Sequence, residues 1–483
     1  MAYRTGNRNQ IAMLPESIEH YVADNDPVRA YDAFVEELNF DELGIEINSY
    51  KVGNAEYHPR AMLKLLVYGP SYGVCSSRKL ERETCHNMSF IWLMGGLKPD
   101  HKTISRFRQQ NKKALQKVLK LSARMCIKLD LIAGNVLFVD GTKIRANASA
   151  SRTHDQPWYE EQLRAIDQRI ENLLEQCEAE DQQEARLGSY VEMDKELANA
   201  QSLKQKIAGV LAEFKESGAK KINQTDPDCA NMRSIQGKHA SYNVQSVADD
   251  KNGLIVHMEA VSDATDLNQF ARQIEQAKEV LEKPCEIACA DAGYADTKEL
   301  EKTDADNIKV IVPSQRQALH EQEGPFSKSH FTYDKEKDCY CCPGGHCLKH
   351  VATEKATGIK RYQITDRELC LNCKHWGQCT TSTTCGRRVL RLPNEETKER
   401  LESQYNEAQS QEIYARRKAR AEHPFGHLKR NLKIDAFLVR GREGVQAETS
   451  IMGACFNIAR MITLLGGVPA LIQRFKGLAA TTA

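Results

Sequence analysis

The chain lacks a charge of one sign. Its 67 Lys and Arg are met by 66 Asp and Glu, so composition does not announce a polyanion binder, and any basic surface has to be local. It lacks an apolar leader. The opening "MAYRTGNRNQ" has no hydrophobic core, and secretion is not expected. It also lacks an apolar run of membrane length. The best stretch, "SIMGACFNIARMITLLGG", is broken by Asn457 and Arg460 and reads as a core helix. These absences point to a cytoplasmic protein with no membrane partner. Cysteine, by contrast, is plentiful. Sixteen cysteines without a leader imply a reduced compartment, where clustered cysteines bind metal more often than they pair. The 483 residues are enough for several domains and a real core.

Residues 1–130 read as helical. "HPRAMLKLLVYGPSYGVCSSRKLERETCHNMSFIWLMGG" spaces its apolar residues for helices, broken at Gly69-Pro70 and Gly95-Gly96. A capped basic segment follows, carrying Lys102, Arg106, Arg108, Lys112 and Lys113. It is either a solvated helix face or part of a helix-turn-helix-like unit lying along DNA. From residue 134 the pattern changes. "NVLFVD", "SYNVQSVAD", "GLIVHMEAV", "CEIACADAGY" and "IKVIVPS" read as strands. Amphipathic helices fall between the later ones, giving an order β, β, β, α, β, α, β and an α/β domain with one mixed sheet.

Two insertions interrupt that domain. In the first, about 155–220, Tyr159, Leu163, Ile166, Ile170, Leu173 and Cys177 keep helical spacing, as do Leu197 to Phe214, so a helical hairpin is expected. The second, 324–395, holds eight of the sixteen cysteines. Cys370-x2-Cys373-x5-Cys379, with Cys342 upstream, has the short spacing that suits a tetrahedral zinc. Ligation would tie down a segment with little apolar core of its own. Cys339, Cys341, Cys347 and Cys385 leave the ligand choice open.

Three acids stand out by context. In "FVDGTKIRANAS", Asp140 ends an apolar run before Gly141, with Lys143 and Arg145 just beyond. Asp291 in "ACADAGYAD" meets a similar small-residue turn, and Glu422 lies in the basic "YARRKARAEHPFGHLK". Strands one and four of such a sheet are neighbours, so their ends are expected to bring Asp140 and Asp291 together, with Glu422 beside them. Clustered carboxylates repel unless cations sit between them, and Mg²⁺ takes oxygen ligands. Tyr414, Lys418 and Glu422 fall at i, i+4, i+8 on one α-helical face. Lys429 would return to that face, but Pro424 is expected to kink or end the helix first. Arg416, Arg417 and Arg420 make the segment a candidate phosphate clamp.

At these residues the sequence resembles a bacterial insertion-sequence transposase of the DDE type, over nearly the whole chain. "VDGTKIRANAS", "ADAGYAD" and "AEHPFGHLKR" resemble the blocks around its three acids. "TDPDCANMRSIQGKHASYNVQSVAD" resembles its second-strand region, and "YHPRAMLKLLVYGPSYGVCSSRKLE" through "HKTISRFR" its N-terminal domain. The resemblance implies a helical DNA-binding domain at 1–130 and an RNase H-like catalytic domain at 131–323 and 396–470. It further implies a zinc-ribbon-like insertion at 324–395 and a tail at 471–483. It implies Asp140, Asp291 and Glu422 as ligands of two Mg²⁺ ions (Mn²⁺ substituting), and a structural Zn²⁺ on Cys342, Cys370, Cys373 and Cys379. Tyr414, Lys418, Lys429, Arg106 and Arg108 become DNA or phosphate contacts. Lys418 stands where relatives carry arginine, and Tyr414 is one residue farther from the glutamate than usual. Implied partners are double-stranded DNA, as terminal inverted repeats and target, and a second copy of the chain. The implied location is the bacterial cytoplasm and nucleoid. The rival readings are a metal-dependent nuclease without strand transfer and a non-catalytic DNA-binding zinc protein of the same fold.

Overall fold

Leu137, Phe138 and Val139 are consecutive and all fully buried, the pattern of a strand covered on both faces. In the computed structural model this strand pairs along its length with a second long strand. The structure describes residues 17–47, 56–181, 187–234, 237–320, 324–382 and 384–482. The opening "MAYRTGNRNQ" lies outside them. The chain divides into two compact units: 1–266, 273–285 and 417–483 form the first, and 267–272 with 286–416 the second.

In the first unit, β1 (Val136–Arg145) pairs antiparallel with β3 (Gly237–Asp249), whose other edge carries β2 (Ala230–Ser234) and β4 (Ile255–Val261). The sequence led us to end β1 at Asp140, with Gly141 turning. Instead Gly141 lies opposite Gln245, and the ladder runs on to Arg145 opposite Ser241. The long β3 offers residues 141–145 a complete set of backbone partners, and that pairing overrides the glycine's weak strand preference. Period-two alternation then fixes the faces. Asp140, Thr142 and Ile144 share one face. Lys143 and Arg145, which adjoin Asp140 in sequence, point to the other. Lys143 Nζ donates to the Arg233 carbonyl at 3.0 Å.

The helices of the first 130 residues belong to this same unit. The helix His101–Gln110 is capped by Asp100, whose Oδ1 accepts from the Thr103 amide at 2.6 Å. The helix Arg442–Leu464 packs on Lys112–Lys128. Gly453 permits the close approach, since a Cβ there would come within 3.0 Å of Leu119. Asn457, which breaks the apolar run, is wholly buried. Its amide donates to the Ile255 carbonyl at 2.8 Å and its oxygen accepts from the Ile255 amide at 2.9 Å. A polar residue in the helix core thus completes the start of β4. Among the described residues no single helix is long and apolar enough to cross a membrane. The helices Gln156–Asp181 and Leu187–Ser217 pack together around Tyr159, Ile166, Ile207, Val210 and Phe214. The Cys177 side chain lies outside those described.

In the second unit, β5 (Ile287–Cys289) and β6 (Lys309–Ile311) run parallel, joined through the helix Thr297–Ala305, as a parallel pair requires. A separate five-stranded antiparallel sheet follows: β7 (Thr332–Asp334), β8 (Cys339–Cys341), β9 (Cys347–Thr353), β10 (Lys360–Gln363) and β11 (Arg388–Arg391). It does have an apolar core. Phe331, Tyr340, Leu348, Tyr362, Ile364 and Val389 cluster on it. The residues alternate singly along short strands, so no apolar run advertises them in sequence. The protein is a mixed α/β molecule with a helical N-terminal region.

Candidate active site

Glu422 lies in a helical segment whose pitch changes. It is α over Ala408–Arg417, widens to a π turn over Lys418–Glu422, tightens at His423–Gly426 and widens again over His427–Asn431. Pro424 therefore does not end it, and of the kink or end expected from the sequence the end is excluded. A proline in an α-helix lacks one N–H and presses its ring on the carbonyl four residues back. A wide i→i+5 turn ahead of it relieves both demands.

The change of pitch decides which side chains meet. In an α-helix, residues five apart point roughly 140° away from each other, given 3.6 residues per turn. In a π turn they stack. Arg417 and Glu422 are five apart, and Arg417 Nη2 lies 3.2 Å from Glu422 Oε1. The other arm, Nη1, lies 3.8 Å from Asp140 Oδ1 on β1. The Arg417 and Asp140 side chains are only 14% and 12% exposed, whereas that of Glu422 is 45% exposed. Asp140 Oδ1 also accepts from the Gly141 amide at 2.9 Å.

The same pitch breaks up the expected face of Tyr414, Lys418 and Glu422, because that spacing aligns residues only in an unbroken α-helix. Tyr414 belongs to the second unit, where its ring stands edge-on to Tyr405 with centroids 5.1 Å apart. Lys418 is exposed. Lys429 does return to β1: its Nζ donates to Thr142 Oγ1 at 2.5 Å. Lys429 is exposed, but loss of water around its ammonium pulls its pKa below the usual 10.5, opposed by Asp435 and Asp140. Asp140 and Thr142, two apart on one strand face, thus receive the two cations Arg417 and Lys429. Sequence reasoning passed over Thr142 and counted Arg417 only among a run of arginines. Nothing in the local composition marks a π turn.

Asp291 lies in the second unit just after β5. Its Oδ1 accepts from the Gly293 amide at 2.8 Å and caps the short turn Ala292–Tyr294. Its carboxylate is thereby oriented by its own backbone. In the first unit Asp140 and Glu422 offer only oxygen donors and share one cation, a chemistry that fits Mg²⁺ or Mn²⁺. Among the described residues no group of three or more His, Cys, Asp or Glu is drawn together closely enough to hold a metal ion.

The two N-terminal arginines differ. Arg106 is exposed. Arg108 donates to the Cys75 carbonyl at 2.9 Å and balances Glu448, whose carboxyl burial pushes up. Arg108 is an internal cation in this arrangement. The sequence could not separate the pair, since both fit the same basic helix.

In the second unit, Cys342, Cys370, Cys373 and Cys379 line one cavity of about 20 Å³ with His346, His375 and Trp376. That is room for a single water-sized occupant. Gly344 is needed there, since a Cβ would stand 3.3 Å from Cys373 Sγ and 3.6 Å from Cys342 Sγ. Burial pushes the Cys379 thiol up, and the three neighbouring thiols add to this against Arg387. The other cysteines lie elsewhere. Cys339 adjoins Cys347, Cys341 faces Cys347 across the ladder, and Cys385 contacts Ser382 at 3.1 Å. His346 and His375 were not among the expected donors.

Comparison with known proteins adds two matches. Residues 16–110 match the model of a "Transposase domain (DUF772)", and residues 341–462 match that of a "Transposase DDE domain". The second stretch contains Tyr414, Lys418, Glu422, Lys429 and the four cavity cysteines; the first contains Arg106 and Arg108. Asp140 and Asp291 fall in neither. No curated protein matches the chain.

Proposed function

We propose that this chain, a transposase with an N-terminal transposase domain and a DDE domain, uses Asp140, Asp291 and Glu422 as its three metal-holding acids. Its reaction is transposition: DNA cleavage and strand transfer, with a divalent metal. The observation that carries our assignment is the sharing of Arg417 by Asp140 and Glu422, at 3.8 and 3.2 Å. Two acids from distant parts of the sequence converge on one cation. Asp291 joins them in our reading because its carboxylate is held at a strand end by the Gly293 amide.

When bound, a pair of Mg²⁺ ions supplies charge neutralisation at the scissile phosphate and acidifies water for attack. The residues do the rest. Asp140, on a strand buried in the core, orients its carboxylate without paying side-chain entropy again at each turnover. Lys429, anchored on Thr142, presents a cation to a backbone phosphate near the cut. Exposed Arg106 contributes to holding the terminal repeat. Arg108 in this reading stabilises the helix that carries Arg106. Joining two ends requires at least two copies of the chain. The bacterial insertion-sequence assignment is the finer reading we favour, from the three sequence blocks around the acids.

We further propose a structural zinc on Cys342, Cys370, Cys373 and Cys379: the four thiols line one cavity and suit zinc chemically, and ligation would draw them closer than they stand. One experiment tests the acid assignment without relying on turnover. Fe²⁺ replaces Mg²⁺ in the full chain, and ascorbate with peroxide generates radicals that cut the backbone near the metal. Cuts should cluster around 140, 291 and 422 and fade with excess Mg²⁺. Mg²⁺-sensitive cuts confined to other segments would move the metal elsewhere.

A further inference from the structure

We propose that Arg417 is the resident counter-cation of the Asp140–Glu422 pair, and that a divalent ion enters by displacing its guanidinium. The inference rests on the assignment of those two acids to the metal site. Three observations carry it.

The first is geometric. The two arms of one guanidinium reach the two carboxylates, Nη1 to Asp140 and Nη2 to Glu422. They do so only because the segment is π-helical between Arg417 and Glu422. An ordinary α turn would carry Arg417 away from the acid.

The second is electrostatic. Asp140 and Arg417 are nearly buried, and a buried carboxylate left without a cation is costly. Guanidinium does not deprotonate in proteins, so its charge cannot be titrated away. Only movement of the side chain removes it.

The third concerns strength. A charge-assisted pair built for permanence sits at about 2.7–2.9 Å and is bidentate. Arg417 is 3.2 Å from Glu422 and 3.8 Å from Asp140. Arg417 Nη1 and Asp140 Oδ1, at 3.8 Å, stand farther apart than a hydrogen bond reaches, and the Glu422 side chain is 45% exposed. This contact neutralises the acids but yields readily to a divalent ion with twice the charge. Once displaced, the guanidinium remains on a segment whose exposed Arg416 and Lys418 face the solvent, where a DNA phosphate is its natural partner. Metal entry and DNA backbone binding then favour one another.

The test is Mn²⁺ binding by calorimetry to the full chain without DNA, comparing the parent with Arg417→Gln, Arg417→Lys and Asp140→Asn. Arg417→Gln should bind Mn²⁺ on the order of tenfold more tightly, since a competing charge at 3–4 Å is gone. Arg417→Lys, with one ammonium that spans one carboxylate at a time, should fall between. Asp140→Asn should bind far more weakly. In chelator, Arg417→Gln should be less stable than the parent, with the gap closing at saturating Mn²⁺. Equal or weaker Mn²⁺ binding by Arg417→Gln, with Asp140→Asn impaired, would overturn the displacement and leave the acid assignment standing. If Arg417→Gln does not fold, unchanged Mn²⁺ affinity in Arg417→Lys overturns it equally. Parent-like binding by Asp140→Asn would remove the metal site itself, and this inference with it.

Discussion

A lysine such as Lys429 is easily read as one more solvated helix residue, and its contact with Thr142 is what separates it from that reading. A point cation on the backbone of DNA is blind to sequence. Lys429→Ala should therefore weaken binding to every end sequence by a similar factor and flatten the log–log salt slope by about one unit. Equal salt slopes for parent and variant would return Lys429 to the bland reading. Its lowered pKa gives a second handle. A lysine with a depressed pKa carries its charge below the folded value and loses it as pH rises through that value, here short of the usual 10.5. Metal-free end binding by the parent should thus fall with rising pH sooner than for an ordinary lysine contact. Lys429→Arg should stay level over the same range, because guanidinium keeps its proton.

At the scale of the element, the π turn over Lys418–Glu422 is the feature with most consequence. Inserting one alanine after Ala419 puts Arg417 and Glu422 six apart, a separation that neither an α nor a π turn stacks, and turns Glu422 by roughly 100° away from Arg417. The variant should keep its helical circular dichroism and lose cleavage. Retained cleavage would show that the pitch is incidental. The cysteine cavity gives another element-scale test. Purified chain should carry about one zinc, as a four-ligand site requires, and Cys373→Ser should lower that content and loosen the β7–β11 sheet. Zinc-free parent protein, purified without chelator, would contradict this.

These elements were unequally legible. The apolar run Leu137 to Val139 announces a buried strand, and the helical hairpin follows from its spacing. The continuation of β1 past Gly141 was hidden, because it depends on a partner strand about a hundred residues away rather than on local preference. The π turn was hidden because every residue from Arg416 to Ala421 is compatible with an α-helix. The grouping of Cys342, Cys370, Cys373 and Cys379 in one cavity is an arrangement the Cys-x2-Cys spacing points toward, while the two histidines beside them leave no such spacing.

At the scale of the whole molecule, the helices of the first 130 residues share a compact unit with β1 to β4. Arg108 is one of the ties, set against partly buried Glu448 in the long C-terminal helix. Arg108→Ala should destabilise that unit by roughly 2–3 kcal/mol, discounted from the cost of breaking a fully buried pair because Arg108 is partly exposed. A lowered urea midpoint would register it. Arg106→Ala should leave the midpoint unchanged and weaken end binding. Reversed effects would exchange the roles of the two arginines. The most direct measurement compares binding and cutting of one end duplex in Mg²⁺ by Asp140→Asn, Asp291→Asn and Glu422→Gln. Metal ligation needs the charged oxygen, whereas docking relies on basic residues elsewhere. All three variants should shift the duplex in a gel like the parent and leave it uncut. Near-parental cutting by any of them would remove that residue from the active site.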